Sequence, residues 1–168
     1  MSNIGFALGS NLGDRVSNLA RAVEVLASFF EPGSMRCSPV YECAALLPEG
    51  AEEAWNLPFL NQVVMGRMEP SPDPLTLLAS IKETERRLGR QPSGHWGPRH
   101  IDIDILFMDD RVLQSEALTL PHPAMKERAF VMVPLAAIAP QWEHPVTRET
   151  AAEMAARFSP QEVSVYAD

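Results

Sequence analysis

The chemistry of this chain starts from two aspartates in the run RHIDIDILF, residues 99–107. Read as a β-strand, whose side chains alternate between faces, the run sends Ile101, Ile103, Ile105 and Phe107 one way and Asp102, Asp104, Leu106 and Met108 the other. The carboxylates then stand about 7 Å apart, with no Lys or Arg between them. Both stay ionised in a partly buried place only if a cation compensates or one of them takes a proton. Magnesium suits the pair, since it takes one or two carboxylates and fills its shell with water and phosphate oxygens. The alternative is an acidic sheet edge that blocks unwanted strand pairing.

The neighbouring residues favour a nucleotide. Directly upstream, GHWGPR supplies Trp96 to stack on a flat ring and Arg99, whose planar fork can hold phosphate. Gly94 and Gly97 let the backbone approach a ligand, and Arg90 stands at the other end of the same loop. Metal-binding acids, phosphate-binding bases and an aromatic within fifteen residues suit phosphoryl transfer. Downstream, PHPAMKERAF brings His122 as a phosphate donor and Arg128 to neutralise charge. A lone His near two prolines is more often a structural residue. Asn61 sits on an otherwise apolar strand face; a heterocycle edge would satisfy its amide, and so would a backbone partner. His144 receives no role. Neither G-x-x-x-x-G-K-[ST] nor G-x-G-x-x-G occurs, so LGSNLGD reads as a tight strand-to-helix turn.

These residues need a scaffold. IGFAL, residues 4–8, reads as a strand, followed by a helix with Val16, Leu19, Ala20, Val23, Leu26 and Phe30 on one stripe, stopped by Pro32-Gly33. Residues 35–41 read as extended, and 59–68 as a longer strand with Phe59, Asn61, Val63 and Met65 on one face. The long connection ECAALLPEGAEEAWNLP between them is either a functional loop or a surface insertion. Asp73 as cap, Pro74 in the first turn, apolar Leu75, Leu78, Ile81 and Leu88, and Gly89 as terminator define a second helix. After the aspartate strand come a short partner strand at Val112-Leu113, helical turns broken at Pro134 and Pro140, and a last helix near 148–158. There is no repeat or linker, and the order of elements predicts an α+β sandwich of helices on an antiparallel or mixed sheet.

At 168 residues one domain and one core are expected. Fourteen basic against twenty-two acidic side chains, a formal charge of -8, argue against a nucleic-acid or membrane-surface protein. The start MSNIGFALGS lacks the pattern of a signal peptide and no apolar run is long enough to span a bilayer, so a cytoplasmic protein is expected. Cys37 and Cys43 are too few for a structural zinc site and read as free thiols.

WGPRHIDIDILF, taken in order with GSNLGD, FLN and PHPAMKERAF, strongly resembles the 6-hydroxymethyl-7,8-dihydropterin pyrophosphokinase family of folate biosynthesis. The match runs over roughly residues 4–140, and W-G-P-R-x-x-D-x-D is its specific element. The resemblance implies a ferredoxin-like fold with a mostly antiparallel sheet, a single domain over 1–168, a monomer, and transfer of a pyrophosphoryl group from MgATP to the pterin hydroxymethyl group with release of AMP. By position, Asp102 and Asp104 would hold two magnesium ions. Arg90, Arg99 and Arg128 would bind phosphate, with Arg90, Arg99 and the two aspartates as the catalytic set. His122 would touch the triphosphate, Glu85 would lie at the nucleotide site, and Ile105 and Thr119 would border the adenine. Asn61 would read the pterin edge between Phe59 and Phe130, with Leu46 nearby, and Trp96 would close over both substrates. Three departures stand out: Cys43 and Ala44 where the family usually has Thr and Pro, Gln91-Pro92-Ser93 after Arg90 where a second Arg is common, and Lys82 in place of a frequent Gln. Two other classes remain open on residue chemistry: a magnesium-dependent phosphohydrolase or nuclease, and a non-catalytic ligand-binding module on the same fold.

Overall fold

Alternation in SNIGFALGS builds the central strand, β1 (Ser2–Ser10): Ile4, Phe6 and Leu8 are buried on one face, while Gly5, Ala7 and Gly9 keep the other flat. β1 pairs antiparallel with β4 (Phe59–Met68) on one side and with β5 (Asp102–Met108) on the other. β2 (Arg36–Cys37) and β3 (Tyr41–Cys43) pair with successive stretches of β4, and β3 also pairs with β8 (Ser164–Val165). The order is β5-β1-β4-β3-β8, every pair antiparallel. The coordinates, a computed structural model, describe residues 1–44, 49–51, 53, 56–89 and 100–166. With α1 (Arg15–Ala27) after β1 and α2 (Pro74–Arg87) before β5, the chain follows the β-α-β-β-α-β path of the ferredoxin-like sandwich that the sequence implies. No helix among the described residues is long and apolar enough to cross a membrane.

Two helices cover the first face of the sheet. α1 is capped by Asp14, which accepts from the Ser17 N–H at 3.1 Å, and buries Asn18, Leu19, Ala22 and Leu26. Its stripe is rotated from the expected one: Val16 is 41% exposed and Ala20 faces solvent. The reason is Asn18, a polar residue on the buried side whose amide donates to Ser10 Oγ and the Leu12 carbonyl. Phe30 lies beyond the helix end and packs on Phe6 with ring centroids 5.9 Å apart. α2 has the expected Asp73 cap and first-turn proline, and Gly89 adopts φ +94 just past its end. It buries Leu77, Ile81, Thr84 and Glu85, while Leu75 stays exposed.

Among the described residues, helices cover the second face at one end. α3 (Ala129–Ile138), apolar throughout and burying Ala129, Val131, Met132, Pro134 and Leu135, continues through Pro134 instead of breaking there. It packs with α4 (Ala151–Ala155), shorter than the expected 148–158 and capped by Thr150, over Val63, Met65, Leu106 and Phe107. Here β5 departs from simple alternation. Gly5 pairs with Phe107 but Phe6 pairs with Ile105, so one extra residue enters β5 as a bulge. Phe107 therefore turns to the α3 side with Leu106, and Met108 joins Ile101, Ile103 and Ile105 against α1 and α2. Only glycine fits at position 5: a Cβ there would lie 2.4 Å from the Phe107 ring, itself stacked on Trp142 with centroids 4.7 Å apart. Beyond β5, a hairpin of β6 (Leu113–Gln114) and β7 (Thr119–Leu120) leads to His122, whose N–H donates to the Leu106 carbonyl at 2.8 Å.

Candidate functional site

The other end of the second face, on which no helix of the described residues packs, forms a basin. Its floor is Gly9, which pairs with Asn61 on one side and Asp102 on the other. A Cβ on Gly9 would lie 3.3 Å from both Asn61 Oδ1 and Phe59 Cδ1, so glycine opens this space to a ligand. Asn61 is 4% exposed and donates from Nδ2 to Cys43 Sγ at 2.9 Å. Phe130, near the start of α3, packs with Tyr41 and Cys43 on the same side. Arg15 braces this corner, donating from Nη1 to Glu42 Oε2 at 2.8 Å and to the Pro58 carbonyl at 3.0 Å.

Asp102 and Asp104 project from β5 on this face, opposite Gly9 and Ala7, half-buried as the strand alternation requires. Arg128 Nη1 lies 4.0 Å from Asp104 Oδ2, and the same guanidinium sits 5.5 Å over the Phe130 ring, so Arg128 joins the carboxylates to the basin wall. His122 Nε2 also lies 4.0 Å from Asp104 Oδ2. That contact is too long for a hydrogen bond and does not hold a proton on the ring. Burial and the Arg128 charge push the imidazole down to about 4, outweighing the opposing pull of Asp102. His122 is thus neutral at pH 7, and because Nδ1 accepts the Ala124 N–H at 3.2 Å, the proton sits on Nε2, on the Asp104 side.

At the outer edge of β5, Asp104 also lines a second cavity of about 240 Å³. Leu78 and Lys82 from α2, Ile105 from β5, and Leu118 and Thr119 from the hairpin surround it, with His122 at its rim. Glu85 is not among its lining residues. It is 3% exposed beneath β5 and accepts the Ile103 N–H at 2.8 Å, fixing the strand between the two aspartates. Among the described residues no cluster of three or more His, Cys, Asp or Glu is arranged to hold a metal. Asp104 at the cavity and Asp102 two residues before it on the same face of β5 fit magnesium carried with phosphate oxygens, and do not fit an all-protein cage.

Asp102, Asp104, Ile105, Thr119, His122 and Arg128 thus gather around one edge of β5, and Phe59, Asn61 and Phe130 around the basin beside it. Arg90, Trp96, Arg99 and Leu46 lie outside the described residues, as do Gln91-Pro92-Ser93 and residues 45–48, 52, 54 and 55 of the long connection. His144 is buried; its Nδ1 accepts the N–H groups of Val146 and Thr147 at 3.2 Å, which makes it a local structural residue. The hairpin wall at Ser115–Leu118 and the flat floor were not singled out from the sequence. The alternating small residues Gly5, Ala7 and Gly9 in IGFALG were the available signal for the floor.

Residues 5–140 match the family model described as 7,8-dihydro-6-hydroxymethylpterin-pyrophosphokinase (HPPK). The chain belongs to this family. It is 40% identical over 149 residues to the 2-amino-4-hydroxy-6-hydroxymethyldihydropteridine pyrophosphokinase of Aquifex aeolicus, covering 89% of this chain and 88% of that protein. Its counterpart of the same name in Bacillus subtilis is 39% identical over 148 residues, covering 88% and 84%. A folate synthesis bifunctional protein of Chlamydia trachomatis is 42% identical over 138 residues, but this chain spans only 30% of that protein's length. Among solved structures, a Plasmodium falciparum HPPK-DHPS chain superimposes with a TM-score of 0.69 at 18% identity, over 93% of this chain and 41% of the other, a likeness of fold. The expected family, fold and class of enzyme, a transferase of folate biosynthesis using ATP and a pterin, are therefore met.

Proposed function

We propose that this chain transfers the pyrophosphoryl group of MgATP to the hydroxymethyl group of 6-hydroxymethyl-7,8-dihydropterin, with the basin over Gly9 taking the pterin and the cavity beside β5 taking the nucleotide. One observation carries the assignment: Asp102 borders the floor of the basin and Asp104 lines the cavity, so the acidic pair stands between the two subsites. The pterin hydroxyl attacks the β-phosphorus in line, forming one O–P bond as the bond to the oxygen of AMP breaks, and its proton is released to water.

Positioning and charge neutralisation by this chain supply the catalysis, because phosphoryl transfer asks little covalent chemistry of a protein. Asp102 and Asp104 would hold magnesium, for which we propose two ions; when bound, they neutralise the phosphates and polarise the reacting oxygens. Arg128, fixed over Phe130 and facing Asp104, meets charge that develops as AMP leaves. Neutral His122 donates its Nε2–H to a phosphate oxygen without adding a charge. Ile105, Leu78 and Leu118 provide an apolar slot for adenine and Thr119 a hydroxyl at its edge. Asn61 recognises the pterin edge, flanked by Phe59 and Phe130. From the sequence resemblance alone, Arg90 and Arg99 are assigned to the phosphates, Trp96 to closure over both substrates and Leu46 to the pterin side. Glu85 acts from beneath, through β5. We further propose a single pyrophosphokinase domain over 1–168 that works as a monomer.

Incubation with MgATP and the reduced pterin tests this reading. AMP is expected in step with pterin pyrophosphate, and only with a divalent ion present. ADP or inorganic phosphate in place of AMP refutes the transferase and favours a phosphohydrolase; magnesium-independent pterin binding without turnover favours a binding module. Light scattering at working concentration checks the monomer.

A further inference from the structure

The Asn61 amide is buried, yet among the described residues only one of its ends has a partner. Nδ2 donates to Cys43 Sγ at 2.9 Å. No described residue donates to Oδ1, which faces Gly9 closely enough that a Cβ there would sit 3.3 Å away. A buried carbonyl oxygen left without a donor is costly, so this one points to a ligand that enters over Gly9. The opposite orientation of the amide would present NH₂ to the basin, and the pocket would then recognise an acceptor in place of a donor. Something must choose between the two.

We propose that Cys43 is a positioning residue for the pterin: its sulfur holds Asn61 Nδ2, so that Oδ1 is presented to a ring N–H or amino group of the substrate. The inference rests on the assignment of the basin to the pterin. The sulfur is a fixed partner because its strand is fixed. Cys43 pairs with Phe59 across β3 and β4, and Arg15 ties Glu42, its neighbour on β3, to the Pro58 carbonyl just before β4. Burial pushes the thiol up to about 11, with the Asn61 hydrogen bond pulling it down and Glu42 pushing it up, so the sulfur is a neutral thiol at pH 7. A thiol so rarely ionised is a poor nucleophile, which leaves orientation of the amide as its chemistry.

A double-mutant cycle in steady-state kinetics tests the role. Cys43→Ala is expected to raise KM for the pterin about three- to tenfold, the range for loss of one neutral hydrogen bond, with kcat and KM for ATP nearly unchanged. Cys43→Ser, which restores a hydrogen-bonding atom, should recover most of the affinity. In an Asn61→Ala background, Cys43→Ala should add nothing, because a residue that acts through another loses its effect when that other is gone. An unchanged pterin KM in Cys43→Ala, or losses that multiply in the double variant, would overturn the proposal. Should Cys43→Ala fail to fold, Cys43→Val against Cys43→Ser decides: valine must raise the pterin KM and serine must not. If the unmodified protein makes no AMP, the pyrophosphokinase reading fails on its own, while pterin fluorescence titrations of the same variants still read the effect of Cys43 on binding.

Discussion

Replacing Glu85 by alanine removes the acceptor that holds the Ile103 N–H at 2.8 Å, midway between Asp102 and Asp104. Glu85 is 3% exposed, so water cannot readily take its place. A hydrogen bond to a charged group contributes about 1.5–3 kcal/mol, and the orphaned N–H and the space left by the side chain put the total near 3 kcal/mol. For a chain of 168 residues each kcal/mol moves Tm by about 2–4 °C, so Glu85→Ala should melt about 6–12 °C lower. Glu85→Gln keeps an acceptor of the same shape for the Ile103 N–H and should cost less, about 1 kcal/mol and 2–4 °C. Scanning calorimetry gives the melting points, and amide exchange by NMR reads the bond directly. Protection of Ile103 should fall about a hundredfold in the alanine variant, since about 1.4 kcal/mol is tenfold. KM for MgATP should rise in step, because the strand that carries both carboxylates is loosened. An Ile103 amide that stays protected in Glu85→Ala would refute the account of how β5 is held. Equal losses in Gln and Ala would show that the hydrogen bond to Ile103 is not what Glu85 contributes to stability.

Asp102→Asn and Asp104→Asn should each lower kcat/KM at least about a hundredfold while far-UV circular dichroism stays unchanged; folded variants with full activity would remove the metal assignment. Gly9→Val should abolish pterin binding and leave nucleotide binding intact in calorimetric titrations, because the added carbons fill the floor beside Asn61 and Phe59. Gly5→Ala should destabilise by about 1–3 kcal/mol on denaturant unfolding, since its Cβ meets Phe107 at 2.4 Å and Trp142 blocks the ring from moving away. His122 should titrate near 4 in ¹H–¹⁵N spectra of the ligand-free protein. The folded value is depressed below the ordinary 6.5, so the unfolded chain binds the proton first and stability present above 6.5 declines as pH falls toward 4. An imidazole titrating at 6.5 or above would sink the neutral-donor role.

Local chemistry decided what was readable in the sequence. Asp73 followed by Pro74 states a helix start outright, because cap and first-turn residue each satisfy a backbone requirement within one turn. The period-two pattern of 59–68 likewise assigned Asn61 to the Phe59 face, since β4 runs without a bulge against β1. Long-range terms were hidden. The true buried stripe of α1 turns on Asn18, whose partners Ser10 and Leu12 lie in another element, so counting apolar residues chose a rotated face. Pro134 reads as a helix breaker, but the apolar surroundings of α3 override that preference. Asp102 and Asp104 were legible as a pair from spacing alone. Glu85 as the support of β5 was not, because its contact joins residues 18 apart through a backbone group that no side-chain pattern reports.

The bulge that seats Phe107 and Leu106 on the same side has a consequence for how this chain tolerates change in length. Upstream of it β5 serves the reacting groups, and downstream it serves the second apolar layer, with the switch of phase made by a single extra residue. Deleting Leu106 would leave Ile105 opposite Phe6 and Phe107 opposite Gly5, so strict alternation returns, Asp102 and Asp104 keep their face, and the second layer loses a single apolar side chain. The bulge is thus where β5 can shorten by one without turning either half over. The same deletion at Ile103 has no such slack, because everything on one side of the gap must then change face.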